Sequence, residues 1–238
     1  MRISRIFLAQ PLSKHFSHQT PVIISDDQAH YMQNVLRLNV GNQVTLFDGN
    51  GGEYLGIISE QAKKSITVQL EEFNPEDRIA NRHVRLGLCI IKRDAMDTAI
   101  QKATELGVSE IHPLISDRVS VPQKQYQNRQ QHWQNVAISA CEQCGMNRTP
   151  KVHSPLTLET WSQLEANQKF CALPGGKTLQ IQDSDQSINL LVGPEGGLSP
   201  TEIDRVQTNG FTGIGLGERI LRAETAVITL TSLVMHLP

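Results

Sequence analysis

The chain has 238 residues, 39% apolar, 19% charged and 5% aromatic, with a formal net charge of −2. That length can bury a substantial core, which excludes a largely disordered protein, and the near-neutral balance excludes a bulk-basic nucleic-acid coat while permitting a local basic patch. No apolar run approaches the roughly 18 residues of a membrane span, and the start, MRISRIFLAQPL, lacks a signal peptide's apolar stretch and cleavage site, so a cytoplasmic protein with no membrane partner is expected.

The first seventy-odd residues read as β-rich. Arg2 to Leu8 alternates imperfectly, and Gln43 to Phe47, Tyr54 to Ser59 and Ser65 to Leu70 carry β-branched residues. The run Asp48-Gly49-Asn50-Gly51-Gly52 is a turn between two of them. Ser25-Asp26-Asp27-Gln28 fits a capping box for a helix to about Leu36. These elements predict a small barrel with one helix over residues 1–72. The polar stretch Glu71 to Asn81, with Pro75, predicts a boundary, and a second domain over 80–238.

Beyond the boundary, strands alternate with helices. Val84 to Ile91 is a nearly continuous apolar run, as in a strand buried on both faces. Asp94 is placed to cap a helix with Met96, Ala99, Ile100, Ala103 and Leu106 at helical spacing, ended by Gly107. Glu110 to Ile115 predicts a strand, Asn128 to Cys144 a long helix and Thr157 to Leu164 another. Lys169 to Leu173, Ile188 to Val192 and Phe211 to Leu216 predict strands. Ser199-Pro200-Thr201-Glu202 is a capping box with Pro at the first helical position. An apolar helix from about Glu224 to Met235 closes the chain. The alternation predicts an α/β domain with a mainly parallel sheet, and ligands bind such sheets beyond the strands' carboxyl ends.

Three glycine-bearing loops follow strands there: Leu173 to Gly176, Gly193 to Gly197 and Leu216 to Ala226. Each alone is ordinary turn chemistry; three together point to one ligand site. Neither a P-loop nor a dinucleotide fingerprint is present, which disfavours a nucleotide-cofactor oxidoreductase. Cys141-Glu142-Gln143-Cys144 falls late in a helix and reads as core packing, and Cys89 and Cys171 complete no disulfide framework. The eight histidines show no His-x-x-x-His helix spacing, so no metal is expected.

The run Leu190-Leu191-Val192-Gly193-Pro194-Glu195-Gly196-Gly197-Leu198-Ser199 with Glu202, followed by Leu216-Gly217-Glu218-Arg219-Ile220-Leu221-Arg222-Ala223-Glu224-Thr225-Ala226, resembles the bacterial 16S ribosomal RNA uracil-N3 methyltransferase family of the SPOUT class. Ile100 to Val108, Ala140 to Cys144, Arg2 to Phe7 and Val35-Leu36-Arg37 match as well, so the resemblance covers essentially the whole chain. Met146, before Asn147-Arg148, departs from the basic residue of some relatives.

The resemblance implies a C-terminal trefoil-knotted α/β domain, although topology alone argues against knots. It also implies an N-terminal PUA-like β-barrel for RNA, a homodimer, and S-adenosylmethionine as cofactor. The cofactor would be held by Leu173, Pro174 and Gly175 of the first loop and by Leu191, Val192, Gly193 and Gly197 around the second. Leu216, Gly217, Ile220, Leu221, Thr225 and Ala226 would hold it from the third. Arg222, Glu224 and Glu195 are the catalytic candidates: an arginine can stabilise a uracil anion and a carboxylate can remove the N3 proton. The partner implied is 16S ribosomal RNA of the small subunit. Residues 1–72 carry six Lys/Arg and seven Asp/Glu, so attraction to RNA must be local. Candidate contacts are Arg2, Arg5 and Arg37 on the barrel, and Arg148 and Lys151 on the second domain. A non-catalytic RNA-binding or ribosome-assembly factor on the same fold is the alternative; the intact Gly193 to Gly197 and Leu216 to Ala226 loops argue against it.

Overall fold

The computed structural model describes residues 3–80, 82–181 and 187–236. The chain divides into two compact units, Met1–Ile79 with Cys141–Arg148, and Ala80–Ala140 with Thr149–Pro238.

The first unit contains β1 (Ser4–Phe7), α1 (Ser13–Ser17), β2 (Val22–Ser25), α2 (Asp26–His30), β3 (Gln43–Phe47), β4 (Glu53–Ala62) and β5 (Ser65–Asn74). Its sheet runs β1-β3-β4-β5-β2, with β1 parallel to β3 and the other pairs antiparallel. Register shifts at Leu55/Gly56 and Ile58/Glu60 bend β4 against β5; such bulges curl a sheet. As a result Ile6, from one end of the ladder, and Val22 and Ile24, from the other, share one core with Val44, Leu46, Ile58 and Val68.

Two expectations need correction here. Ser25 holds the N-cap position the sequence predicts, but its side chain makes no capping hydrogen bond; its backbone also forms the last pair of β2 with β5, opposite Ser65. The helix starts at Asp26, in a left-handed conformation, and continues from α2 through a π-helical turn at Tyr31–Val35. The polar stretch after Leu70 begins as strand: Glu72, Phe73 and Asn74 pair with Leu55, Tyr54 and Glu53.

The second unit contains β6 (His83–Cys89), α3 (Arg93–Glu105), β7 (Glu110–Ile115), α4 (Gln130–Cys144, its last turn counted with the first unit), β8 (Lys151–Val152), β9 (Leu156–Thr157) and α5 (Leu158–Ser162). β10 (Gln168–Lys177), β11 (Ser187–Val192), α6 (Pro200–Thr208), β12 (Thr212–Ile214) and α7 (Ala223–His236) follow. The sheet order is β12-β10-β11-β6-β7-β8, with β9 also on β7, and every pairing is parallel.

Helices cover both faces, which is why the strands read as continuous apolar runs. Val84, Leu86, Leu88, Ile188, Leu190 and Val192 face a core shared with α3, α4 and α7. Cys89, Leu191 and Cys171 point the other way, to Trp161 of α5 and Val206 of α6. The Ser199–Glu202 capping box forms in full on α6. Asp94 does not cap α3; Lys92 holds that position and Asp94 lies in the first turn, where a negative charge suits the helix dipole.

Candidate active site

At the carboxyl ends of β6, β10, β11 and β12 the second unit encloses a cavity of about 830 Å³. The first glycine-bearing segment is not a loop after a strand but a bulge within one: Ala172 and Lys177 of β10 both register with Ile214, and residues 173–176 loop out between them. There Gly176 lies against the backbone of Gly213 to Gly215. A Cβ on Gly176 would sit 2.6 Å from Gly215 N, and one on Gly215 would sit 2.7 Å from Gly176 O. Two main chains thus pass with no room for a side chain between them. Gly176 and Gly215 are structural requirements that the local sequence pattern does not single out.

The second loop is braced from below. Glu202 is buried and accepts hydrogen bonds from Ser199 N and from Asp117 N, both at 2.8 Å. Ser199 Oγ donates to Asp117 Oδ2 at 2.7 Å, and Arg118 Nη1 donates to Gly196 O at 3.1 Å. The segment after β7 therefore sets the position of the Gly193 to Ser199 turn. The third loop turns at Gly217, with φ +101°.

Leu173, Pro174, Val192, Gly193, Gly197, Leu216, Gly217, Ile220, Leu221 and Ala226 line the cavity. Arg222, Glu224 and Glu195 line it too, bringing all three catalytic candidates to one space. Three of the expected cofactor residues lie outside the wall. Leu191 is fully buried on the opposite sheet face from Val192, as the two-residue strand period requires. Gly175 lies at the exposed tip of the bulge, and Thr225 faces solvent on the first turn of α7. Glu195 also has a structural role, since its Oε1 accepts the Lys92 backbone N–H at 3.0 Å, at the start of α3. Lys92 and Ala95, at that same start, also line the cavity, as do Leu198 and Ile203. Sequence reasoning missed Lys92 and Ala95, since only the sheet order brings β6 next to β11.

The basic candidates divide. Arg2 lies outside the described residues. Arg5, expected as an RNA contact, has a side chain only 9% exposed. It pairs with Glu53, donates from Nη2 to Met146 O at 3.1 Å and packs over Phe47. Glu53 also takes two hydrogen bonds from Arg78, each 2.9 Å, and these two arginines hold its carboxyl below the usual range despite burial. The neighbouring Phe7 N–H donates to Glu142 Oε1 at 2.9 Å. Arg5 and Phe7 thus meet Met146 and Glu142 within the first unit, where their visible work is structural. Arg148 belongs to that unit as well, and its guanidinium is engaged by Asp77 at 2.6–2.9 Å while remaining partly exposed. Arg37 and Lys151 are exposed.

A curled β unit followed by a parallel-sheet unit with this cavity is the arrangement of an RNA methyltransferase. The RNA methyltransferase domain family matches residues 78–235, and the RNA methyltransferase PUA domain family matches residues 24–71. Ribosomal RNA small subunit methyltransferase E of Buchnera aphidicola (subsp. Schizaphis graminum) is 32% identical over 95% of this chain and 93% of its own length. The protein of that name from Rickettsia conorii is 31% identical over 96% and 93%. A methyltransferase from Legionella pneumophila, solved with bound cofactor SAM, superposes with a TM-score of 0.89 at 32% identity, covering 98% of this chain and 97% of that one. The Neisseria gonorrhoeae ribosomal RNA small subunit methyltransferase E, bound to S-adenosyl methionine, gives 0.87 at 29% identity, covering 97% and 96%. The chain belongs to the ribosomal RNA small subunit methyltransferase E family of RNA methyltransferases.

Proposed function

We propose that this chain transfers a methyl group from S-adenosylmethionine to N3 of a uridine in 16S ribosomal RNA. The observation that carries the reading is the single cavity where apolar walls, bare glycine backbone and the side chains of Arg222 and Glu224 converge. The residues present fit the cofactor: Leu173, Leu216, Ile220, Leu221 and Ala226 offer an apolar slot, and Gly193 and Gly217 leave backbone within reach of a ligand edge. S-adenosylmethionine supplies an electrophilic methyl group on a sulfonium and needs no metal to do so. What the protein must then do is activate the acceptor. Uracil N3 carries a proton and is a poor nucleophile until it leaves. Glu224 is positioned to receive that proton, and Arg222 to stabilise the charge spreading to the uracil oxygens. Glu195 positions the start of α3 at the cavity wall.

The curled N-terminal unit is the RNA-binding element, using Arg37, with Arg148 and Lys151 as further phosphate contacts. The uridine would be splayed into the cavity. The second unit would carry the trefoil knot, with the close side-by-side packing of Gly176 and Gly215 in the segment it involves. A homodimer accounts for Ile220, 89% exposed beside the cavity, and for the half-buried Ile228 and Leu233 on α7. Among the described residues no helix is long and apolar enough to cross a membrane; the cytoplasm, where the small subunit is assembled, is the expected location.

The test is mass mapping of ribosomal RNA after incubation with S-adenosylmethionine, using free 16S RNA and assembled small subunits in parallel. One new N3-methyluridine is expected in one of the two substrates. Methylation at another atom would reject the acceptor, and RNA binding without methylation would favour an assembly factor. Light scattering at a monomer mass with full activity would reject the dimer.

A further inference from the structure

The amino end of β7 and the residue after β8 lie at the opposite end of the sheet from the cavity, and they carry a side-chain cluster that the methyl-transfer reading does not use. Strand periodicity puts Glu110 and His112 on one face of β7. The pairing of Ile111 with Val152 sets His153 beside His112 on the neighbouring strand. The two imidazoles stack at 3.9 Å with 9° between planes. His153 Nε2 lies 2.6 Å from Glu110 Oε2, and His112 Nε2 lies 3.5 Å from that same oxygen. One ligand atom from each of the three residues falls within 4.8 Å of the others.

The deciding observation is His112. Its residue is 6% exposed, and its Nε2 has no hydrogen-bond partner. An imidazole nitrogen buried without a partner costs stability, and natural structures rarely leave one so. Its nearest acceptor, Glu110 Oε2, stands 3.5 Å away, too far for a good hydrogen bond, and the carboxylate already accepts three others. Oε2 is taken by His153, and Oε1 by Arg85 Nε at 3.2 Å and His83 Nε2 at 3.1 Å. What remains is a nitrogen aimed at a shared oxygen with a second imidazole alongside.

The geometry points to a divalent metal site at Glu110, His112 and His153, of the zinc class. Two imidazoles and a carboxylate are a recurrent zinc donor set, and tetrahedral ligand atoms around zinc stand about 3.4 Å apart. The His112–Glu110 separation already meets that spacing. The parallel rings aim their lone pairs side by side, so half-buried His153 must turn out of its stack on His112 as well as open its 2.6 Å contact, and the metal replaces the hydrogen bond lost. His83 and Arg85 hold Oε1 and so orient the ligand carboxylate from behind. Such an ion would clip the two-residue edge strand β8 to β7. It would take no part in chemistry at the far end of the sheet, so the site stands or falls apart from the methyl-transfer reading.

The test is calorimetric titration of the chelator-stripped full chain with zinc chloride, paired with thermal unfolding. One zinc per chain and a raised unfolding temperature are expected. His153→Gln keeps the core intact and should weaken binding by about tenfold or more; Glu110→Gln should do the same, while Cys144→Ser should bind zinc as the parent does. Cobalt substitution should give a spectrum of nitrogen and oxygen ligands. Absence of both heat and thermal shift would overturn the site. So would unchanged affinity in His153→Gln, or a cobalt–thiolate band that disappears in Cys144→Ser.

Discussion

Gly217 offers the sharpest test of the proposed cofactor cavity. Its φ of +101° lies where side chains are strained, yet a Cβ built on it meets nothing within 4 Å. The cost of a substitution there is therefore backbone strain and not a clash, about 1–3 kcal/mol. The loop can keep its shape and bear that strain, or relax to a negative φ and displace Leu216 and Ile220 from the cavity wall. If the bound state requires the native loop, Gly217→Val should weaken S-adenosylmethionine by about 5- to 150-fold. Gly217→Ala should show most of the same loss, because the penalty lies in the main chain. Gly193 provides the contrast: its φ is ordinary, and a Cβ would come within 3.3 Å of Leu198. Gly193→Ala should thus cost little, while Gly193→Val should cost more by pushing Leu198 or filling the slot. Calorimetric titration with S-adenosylmethionine measures all four, with circular dichroism to check that the N-terminal unit stays folded. Wild-type affinity in both Gly217 variants would refute the reasoning.

Other side chains give outcomes as definite. Arg222→Ala should bind S-adenosylmethionine nearly normally and lower the single-turnover rate by about 10²–10³, with partial rescue by Lys or by raised pH; a loss of affinity instead would make Arg222 a wall residue. Burial, opposed by the Phe7 N–H and by Arg5, raises the Glu142 carboxyl above its ordinary value. The folded state then holds that proton more tightly than the unfolded chain, so its ionised form costs stability as pH rises through the carboxylate range. Glu142→Gln, which keeps the acceptor, should unfold at a higher temperature than the parent at pH 7 and at the same temperature in acid; equal midpoints at both pH values would contradict this. Burial pushes the Cys89 and Cys141 thiols up to about 12 and raises Cys171 as well, whereas Cys144 is exposed. Iodoacetamide at pH 8 should therefore label Cys144 alone until the protein unfolds, as read by intact mass.

The sequence by itself determined what local chemistry and burial pattern can determine. Gln43–Phe47 and Glu110–Ile115 form strands over the ranges their residues predict, and the Ser199–Glu202 capping box closes, because each depends on neighbours within a few positions. The cavity loops were legible as three glycine-bearing segments because bare backbone next to an apolar strand has few other uses.

The tertiary structure decided which residues share a space. Ser25 stands at the helix N-cap its sequence predicts, yet its side chain makes no capping bond and its backbone also pairs with Ser65. Arg5 looked like an RNA contact until Glu53 and Met146, 48 and 141 positions away, enclosed it. Leu191 and Val192 are adjacent in the chain and lie on opposite faces of β11, so only one of them reaches the cavity. Glu110 and His112 sit two apart in the sequence, but His153 joins them only through the register of β7 with β8. For Arg5 and His153 the deciding partners lie far along the chain, and the tertiary fold, which no local pattern encodes, brings them near.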